Sequence, residues 1–91
     1  MSHTYAQNAL HVVFSTKDRS KCISAEFRPK LWAYIAGICK AQRIFVHGIG
    51  GVEDHVHCLI QVPATMALAK AVAVIKANSS RWAHEEDQKV T

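Results

Sequence analysis

The 91-residue chain has little cysteine and no long apolar run. Its three cysteines are odd in number and form no Cys-x-x-Cys pair, which argues against a secreted disulfide scaffold. No apolar run approaches the roughly 20 residues that cross a bilayer. The N-terminus also lacks the charged and apolar regions of a signal peptide. We therefore expect a cytoplasmic protein that has no membrane-embedded part and keeps its thiols reduced.

Acidic residues are fewer than basic ones, with seven Asp and Glu against eleven Lys and Arg, and the formal net charge is +4. Such an excess permits a phosphate-bearing partner without requiring one. Apolar residues make up 49% and charged residues 20%, a balance that excludes a disordered chain. No internal repeat or low-complexity segment is visible, so residues 1–91 are expected to form one small domain.

The order of apolar patterns predicts alternating strands and helices. Residues 8–15 alternate as in a strand, and a helix is expected from about Pro29 to Ala41. A second strand is predicted over 43–47, followed by a flexible turn or bulge at Gly48, Gly50 and Gly51, and a third strand over 54–62.

A second helix is expected to follow. Thr65 is its predicted N-cap, and Leu68, Val72, Ile75 and Trp82 form its predicted apolar face. The sequence after residue 83 reads as a polar tail. The resulting β-α-β-β-α order predicts an α+β, ferredoxin-like unit without its last strand. Its sheet would be antiparallel, with both helices on one face.

The third predicted strand carries two histidines one residue apart, His55 and His57. Alternation places them on one face, while Val56, Cys58 and Ile60 point to the other face and toward the helices. Two imidazoles on one strand face can bind a single metal ion, but they can equally be ordinary polar alternation on a solvent-facing strand. A structural zinc site is disfavoured, because a closed site needs four ligands and the cysteines are wrongly placed to supply them. A histidine-triad hydrolase is disfavoured too, because Leu59 stands where its third histidine would be needed.

Three segments together resemble the single-tyrosine HUH transposases of small bacterial insertion sequences, in which HUH denotes His, hydrophobe, His. The segments are Thr16-Lys17, the run GVEDHVH at 51–57, and the run KANSSRW at 76–82. They occur in matching order along essentially the whole chain. This resemblance implies a transposase that binds DNA hairpins. It would cleave and rejoin single-stranded DNA through a covalent phosphotyrosine intermediate.

The same resemblance implies the site residues and partners. His55 and His57 would be the catalytic metal ligands, for Mg²⁺ or Mn²⁺, and the protein would be a homodimer joined through sheet edges. Residues in two basic segments would contact a single strand bearing a hairpin, although charged faces of this kind can also be simply solvated. The implied DNA-binding residues are Lys17, Arg19, Lys76, Asn78, Ser80 and Arg81.

The nucleophile departs from the family pattern. In the family, the tyrosine lies on a later helix in a Tyr-Ile-x-x-Gln arrangement whose Gln also reaches the metal. The tyrosines here are Tyr5 and Tyr34, and Tyr34 is followed four residues later by Ile38 rather than Gln. We therefore expect the last strand and the tyrosine helix to be absent from this chain, which alone would be inactive.

Two other functions stay open. One is a non-catalytic, truncated or domesticated relative that binds hairpin or single-stranded DNA. The other is a metal-dependent phosphoesterase unrelated to transposition, against which Leu59 and the KANSSRW segment speak.

Overall fold

The structure is a computed structural model that describes residues 9–86. Within them, the β-α-β-β-α order and the α+β class expected from the sequence are confirmed. The elements are strand β1 (Ala9–Ser15), a 3-10 turn (Lys17–Arg19), helix α1 (Arg28–Ala41), strand β2 (Phe45–Gly51), strand β3 (His55–Gln61) and helix α2 (Leu68–Glu86). Asn8, at the start of the first predicted strand, and residues 87–91, in the predicted polar tail, lie outside the described part.

The three strands form one antiparallel sheet in the order β1-β3-β2, so the strand with the two histidines is central. In its register with β1, His55 faces Ser15 and His57 faces Val13. On the other side, His57 faces Gly50 of β2. Both edge strands therefore pair with the strand that carries the histidines, and each places residues next to them.

The core lies between one face of the sheet and the two helices, as the alternation in β3 predicts. Val56, Cys58 and Ile60 are buried there. They belong to one apolar cluster with residues of both helices, including Leu31, Ile35, Cys39, Ala71 and Ile75. The opposite sheet face is left to polar and exposed residues, and this arrangement places the histidine pair on the outside.

The second strand is longer than predicted and begins later. Arg43 has a left-handed φ of 61° in the turn after α1, and the strand then runs from Phe45 through Gly51. The predicted glycine turn is therefore wrong, because all three glycines are inside the strand. The predicted bulge is present as a register shift between Val46 and Gly48. The chain reverses instead at 52–54, where the Val52 N–H donates to the His55 carbonyl at 3.0 Å.

Gly51 is required by close approach. A Cβ there would lie 3.0 Å from Cη2 of Trp32 and 3.0 Å from the Cα of Val56, and closer still to the His55 carbonyl oxygen. Such contacts are too short for a side chain, so Gly51 allows α1 to pack directly on the hairpin that carries the histidines.

The buried face of helix α2 coincides only in part with the predicted one, since Ile75 is buried and Trp82 packs against the core. Its buried residues are Ala71, Ile75, Ser79 and Ala83, spaced four apart, whereas Leu68 is 43% exposed. The predicted face is therefore wrong at Leu68 and right at Ile75. Small side chains allow the helix to approach the core closely, and a pattern based on large apolar residues overlooks them. Thr65 is not the N-cap, because the helix begins at Leu68 and the Ala67 carbonyl accepts the first helical hydrogen bonds.

Neither helix of the described part is long and apolar enough to cross a membrane.

Candidate metal and nucleic-acid site

The two histidines lie side by side on the outer face of the central strand. Their ring centroids are 6.1 Å apart, and both side chains are half-buried. Val56 between them points into the core with 6% of its surface exposed. The orientation predicted from strand alternation is therefore confirmed.

His55 is held by the residue before it. Its Nδ1 lies 2.9 Å from Oδ1 of Asp54. A carboxylate only accepts hydrogen bonds, so Nδ1 carries the hydrogen, and in the neutral imidazole Nε2 then keeps its lone pair. Metal-binding histidines in proteins usually donate their other ring N–H to a carboxylate, a backbone carbonyl or a water in this way.

Asp54 is in turn tied to the end of β1. The Thr16 N–H donates to the Asp54 carbonyl at 2.9 Å, and Oγ1 of Thr16 lies 3.2 Å from the same oxygen. The Thr16 hydroxyl also donates to the Ser20 carbonyl at 2.7 Å. No separate role for Asp54 was predicted, although it directly precedes His55 in the sequence.

His57 is surrounded by neighbours on both flanking strands. Its ring centroid is 5.3 Å from that of His11, with the two planes at 85°. On the other side, an ideal Cβ at Gly50 would lie 3.1 Å from Cε1 and 3.3 Å from Nε2 of His57. No role for His11 was predicted, because only the register between β1 and β3 brings it next to His57.

This donor set fits a divalent ion held at an open position. In residues 9–86, no group of three or more His, Cys, Asp and Glu residues is arranged to hold a metal. For such an ion, the described residues would contribute the imidazoles of His55 and His57, and the remaining positions would be left to other ligands. Closed structural zinc sites instead use four protein ligands.

Cys58 lies on the opposite side of β3 from the histidines, as predicted, and is fully buried. Burial raises the pKa of its thiol to about 11, and the neighbouring Cys39 thiol adds to the increase. Burial likewise raises the pKa of Cys39. Both thiols stay protonated near neutral pH and are poor metal ligands.

Four of the six predicted DNA-binding residues line one surface groove of about 720 Å³. These are Lys17, Lys76, Ser80 and Arg81, and His84 lines the groove with them. Lys17 follows β1 in the 3-10 turn, whereas the others lie on α2. Two segments that are distant in sequence therefore meet in one basic surface, which we call the cationic groove. His84, for which no role was predicted, also lines the cationic groove.

Asn78 and Arg19 are the remaining predicted DNA-binding residues. Asn78 lies outside the groove lining, its Nδ2 donates to the Val74 carbonyl at 2.9 Å, and its Oδ1 accepts from Nη2 of Arg81 at 2.7 Å. Asn78 therefore orients Arg81 within α2. Arg19 ends the 3-10 turn that begins with Lys17. Ser79 is buried and donates to the Ile75 carbonyl at 2.6 Å.

An apolar cavity of about 370 Å³ opens beside the cationic groove. Its walls come from β1, α1 and α2 and include Phe14, Leu31, Ile35 and Ala83. Lys17, Lys76 and Ser80 line both spaces, so the basic surface continues to the mouth of the cavity.

Tyr34 packs between the helices. Its ring lies 4.3 Å from that of Trp82 with the planes at 6°, and Phe27 stacks on Trp82 at 5.6 Å. Tyr5 lies outside the described residues. The ring of Tyr34 thus stabilises the contact between α1 and α2, on the helical side of the sheet, and the histidine pair lies on the other side.

Comparisons with known proteins agree on one group. A family model described as "Transposase IS200 like" matches residues 4–91. The transposases for insertion sequence element IS200 of Salmonella typhimurium (strain LT2) and Salmonella typhi are each 23% identical over 86 residues. The match covers 94% of this chain and 57% of either relative, so the chain spans little more than half their length.

The fold has a counterpart among solved structures. A crystal structure of a Deinococcus radiodurans protein, provisionally described as a transposase, superposes with a TM-score of 0.82 at 19% identity. The superposition covers 97% of this chain and 68% of that chain. At this identity the similarity establishes the fold.

Proposed function

The chain belongs to the IS200-like transposase family, and on that premise we propose that it binds hairpin-bearing single-stranded DNA and activates a phosphate of that DNA at a metal held by His55 and His57. The observation that carries the proposal is the hydrogen bond from His55 to Asp54. In the neutral imidazole, this bond leaves the lone pair of His55 Nε2 available to a metal, on the same sheet face as His57.

Each residue of the site has a role in the proposed chemistry. A bound Mg²⁺ or Mn²⁺ supplies Lewis-acid stabilisation of charge on the phosphate oxygens. His55 and His57 bind it, and Asp54 fixes the tautomer of His55. Lys17, Lys76 and Arg81 neutralise backbone phosphates in the cationic groove.

The covalent step needs a tyrosine hydroxyl in line with the leaving oxygen. The tyrosine oxygen bonds to phosphorus, the bond from phosphorus to the leaving oxygen breaks, and the leaving oxygen takes up the proton that the hydroxyl loses. The ring of Tyr34 stacks on the ring of Trp82 between the helices. We infer that the attacking tyrosine comes from outside residues 9–86. The described part would then provide DNA binding and phosphate activation without the nucleophile.

A second candidate function is a non-catalytic protein that binds hairpin or single-stranded DNA. One observation favours it. Residues 9–86 contain the cationic groove, whereas the ring of Tyr34 stacks on Trp82 between the helices. The two candidates share the groove and differ in the covalent step.

We also propose a homodimer joined through sheet edges. Within the described residues, β1 and β2 each pair with β3 on one side. Unpaired strand edges are ready sites for pairing with another chain. Light scattering coupled to size exclusion tests this proposal directly, and a monomer at micromolar concentration would contradict it.

The proposed function is tested by incubating the purified chain with a hairpin-bearing single strand and Mn²⁺. Anisotropy measures binding, and denaturing gels with mass spectrometry detect cleavage and adducts. We expect binding without a covalent adduct. An adduct at Tyr34 would contradict the placement of the nucleophile. Cleavage without an adduct, lost in His55→Ala, would favour a hydrolytic metal enzyme.

A further inference from the structure

His55 and His57 are held in different ways. His55 is fixed by its hydrogen bond to Asp54. Among the described residues, His57 has ring contacts with His11 and His55 and no hydrogen bond to its imidazole. The orientation of His57 therefore depends on the shape of its surroundings on the sheet.

On the β2 side of His57, the residue directly opposite is Gly50. A Cβ on residue 50 would lie 3.1 Å from Cε1, 3.3 Å from Nε2 and 3.8 Å from Nδ1 of the imidazole. A side chain at this position would therefore be in tight contact with the ring. Any residue larger than glycine would push against its Cε1–Nε2 edge.

On the β1 side of His57, the neighbouring ring is that of His11. It is two residues before Val13, the direct partner of His57, so the contact is a diagonal one across the strand pair. The two rings meet edge to face, with centroids 5.3 Å apart. Such a contact limits the rotation of His57 toward β1, as Gly50 defines the space available toward β2.

We propose that Gly50 and His11 are positioning residues that fix the imidazole of His57 for metal binding. Gly50 acts by leaving room for the ring, and His11 acts by packing against it. This inference rests on the proposed metal function. Two residues outside the His-x-His motif would then contribute to the metal affinity. The reason is that a histidine already oriented for the metal loses less conformational freedom when it binds.

Gly50 is tested against a matched glycine on the same strand. A Cβ at Gly48 would meet nothing within 4 Å, so Gly48→Ala controls for loss of a strand glycine. Calorimetric titration with Mn²⁺ should show affinity lowered about 10-fold or more in Gly50→Ala, in the range found for residues that orient metal ligands. Gly48→Ala should bind as the wild type does. Equal affinity in both variants would overturn the role of Gly50.

His11 is tested against His47, an exposed histidine on β2 whose Nε2 lies 3.2 Å from Oε1 of Gln61. His11→Ala should lower Mn²⁺ affinity, and His47→Ala should not. His11→Phe keeps a ring without a metal-binding nitrogen and should restore most of the affinity. If His11→Phe is as weak as His11→Ala, His11 acts through its nitrogens and the positioning role is wrong.

Failure of this inference can be separated from failure of the proposed function. NMR of the metal-free chain reports the His57 ring directly, and Gly50→Ala and His11→Ala should each shift its imidazole signals while Gly48→Ala leaves them unchanged. If the wild type binds no Mn²⁺, the proposed metal function fails whatever these spectra show. If it binds and the signals of both variants match the wild type, the positioning role fails alone.

Discussion

The carboxylate of Asp54 accepts a hydrogen bond from Nδ1 of His55 at 2.9 Å, while its backbone carbonyl accepts one from the Thr16 N–H. One residue thus connects the end of β1 to the first histidine of the proposed metal site. The cationic groove begins at Lys17, the next residue along the chain from Thr16. The DNA-binding surface and the proposed metal site are therefore joined through a short, hydrogen-bonded segment.

Asp54→Asn should lower Mn²⁺ affinity by about 10- to 100-fold, since orienting partners of metal-binding histidines have effects of this size. The amide can no longer act as an anionic acceptor for Nδ1–H. Calorimetry gives the affinity, and thermal unfolding shows whether the fold is kept. Glu53→Gln is the matched control, because Glu53 is adjacent and its carboxylate pairs at 3.8 Å with Arg28. Equal affinity in the two variants would remove Asp54 from the site.

Lys17→Ala and Arg81→Ala should each weaken hairpin binding and reduce the slope of log K against log salt by about 1, because one phosphate contact fewer releases fewer counterions. The measurement is anisotropy with a hairpin oligonucleotide at several salt concentrations. Lys40→Ala serves as control, since Lys40 is exposed on α1 and lies outside the groove lining. Slopes identical to that of the wild type would show that the groove charges are only solvated.

Asn78→Ala should weaken DNA binding less than Arg81→Ala does. Its amide accepts from Arg81 and donates to the Val74 carbonyl, so its loss frees Arg81 to move without removing a charge. The salt slope should consequently stay close to that of the wild type while the affinity falls. A slope reduced as much as in Arg81→Ala would mean that Asn78 is needed for the phosphate contact itself.

Trp82→Ala should destabilise the fold more than Tyr34→Ala, because Trp82 stacks on two rings and Tyr34 on one. Each aromatic pair contributes about 0.5–1.5 kcal/mol beyond the area that it buries. Urea denaturation gives the free energies of unfolding. Tyr34→Phe keeps the stacked ring and should leave both stability and DNA binding unchanged.

The stability of the chain should fall as pH rises from about 9 to about 11. The Cys58 pKa is raised from 9.0 to about 11 by burial, with the Cys39 thiol adding to it. The unfolded thiol loses its proton first, so the native state binds more protons in this window and the free energy of unfolding decreases. The loss is on the order of 2 kcal/mol. Urea denaturation of Cys58→Ala should show a flatter pH dependence across the same window.

Local patterns were sufficient for the order of elements and for the faces of the strands. The alternation in 55–61 placed Val56, Cys58 and Ile60 inside and the two histidines outside, because side chains alternate across any strand. Pro29 and the apolar spacing that follows it located the first helix to within one residue. The extent of the glycine-containing strand and part of the buried face of α2 were predicted wrongly, since each depends on how closely another element approaches.

The sequence by itself determined the α+β class, the His-x-His strand and the two basic segments, all of which follow from periodicity and residue type within short stretches. Only the tertiary structure decided which distant residues meet. It placed His11 and Gly50 on either side of His57, Asp54 against Thr16, and Lys17 beside Lys76 and Arg81. The physical reason is that strand register and helix packing are set by the burial of the whole core, and no local stretch contains that information.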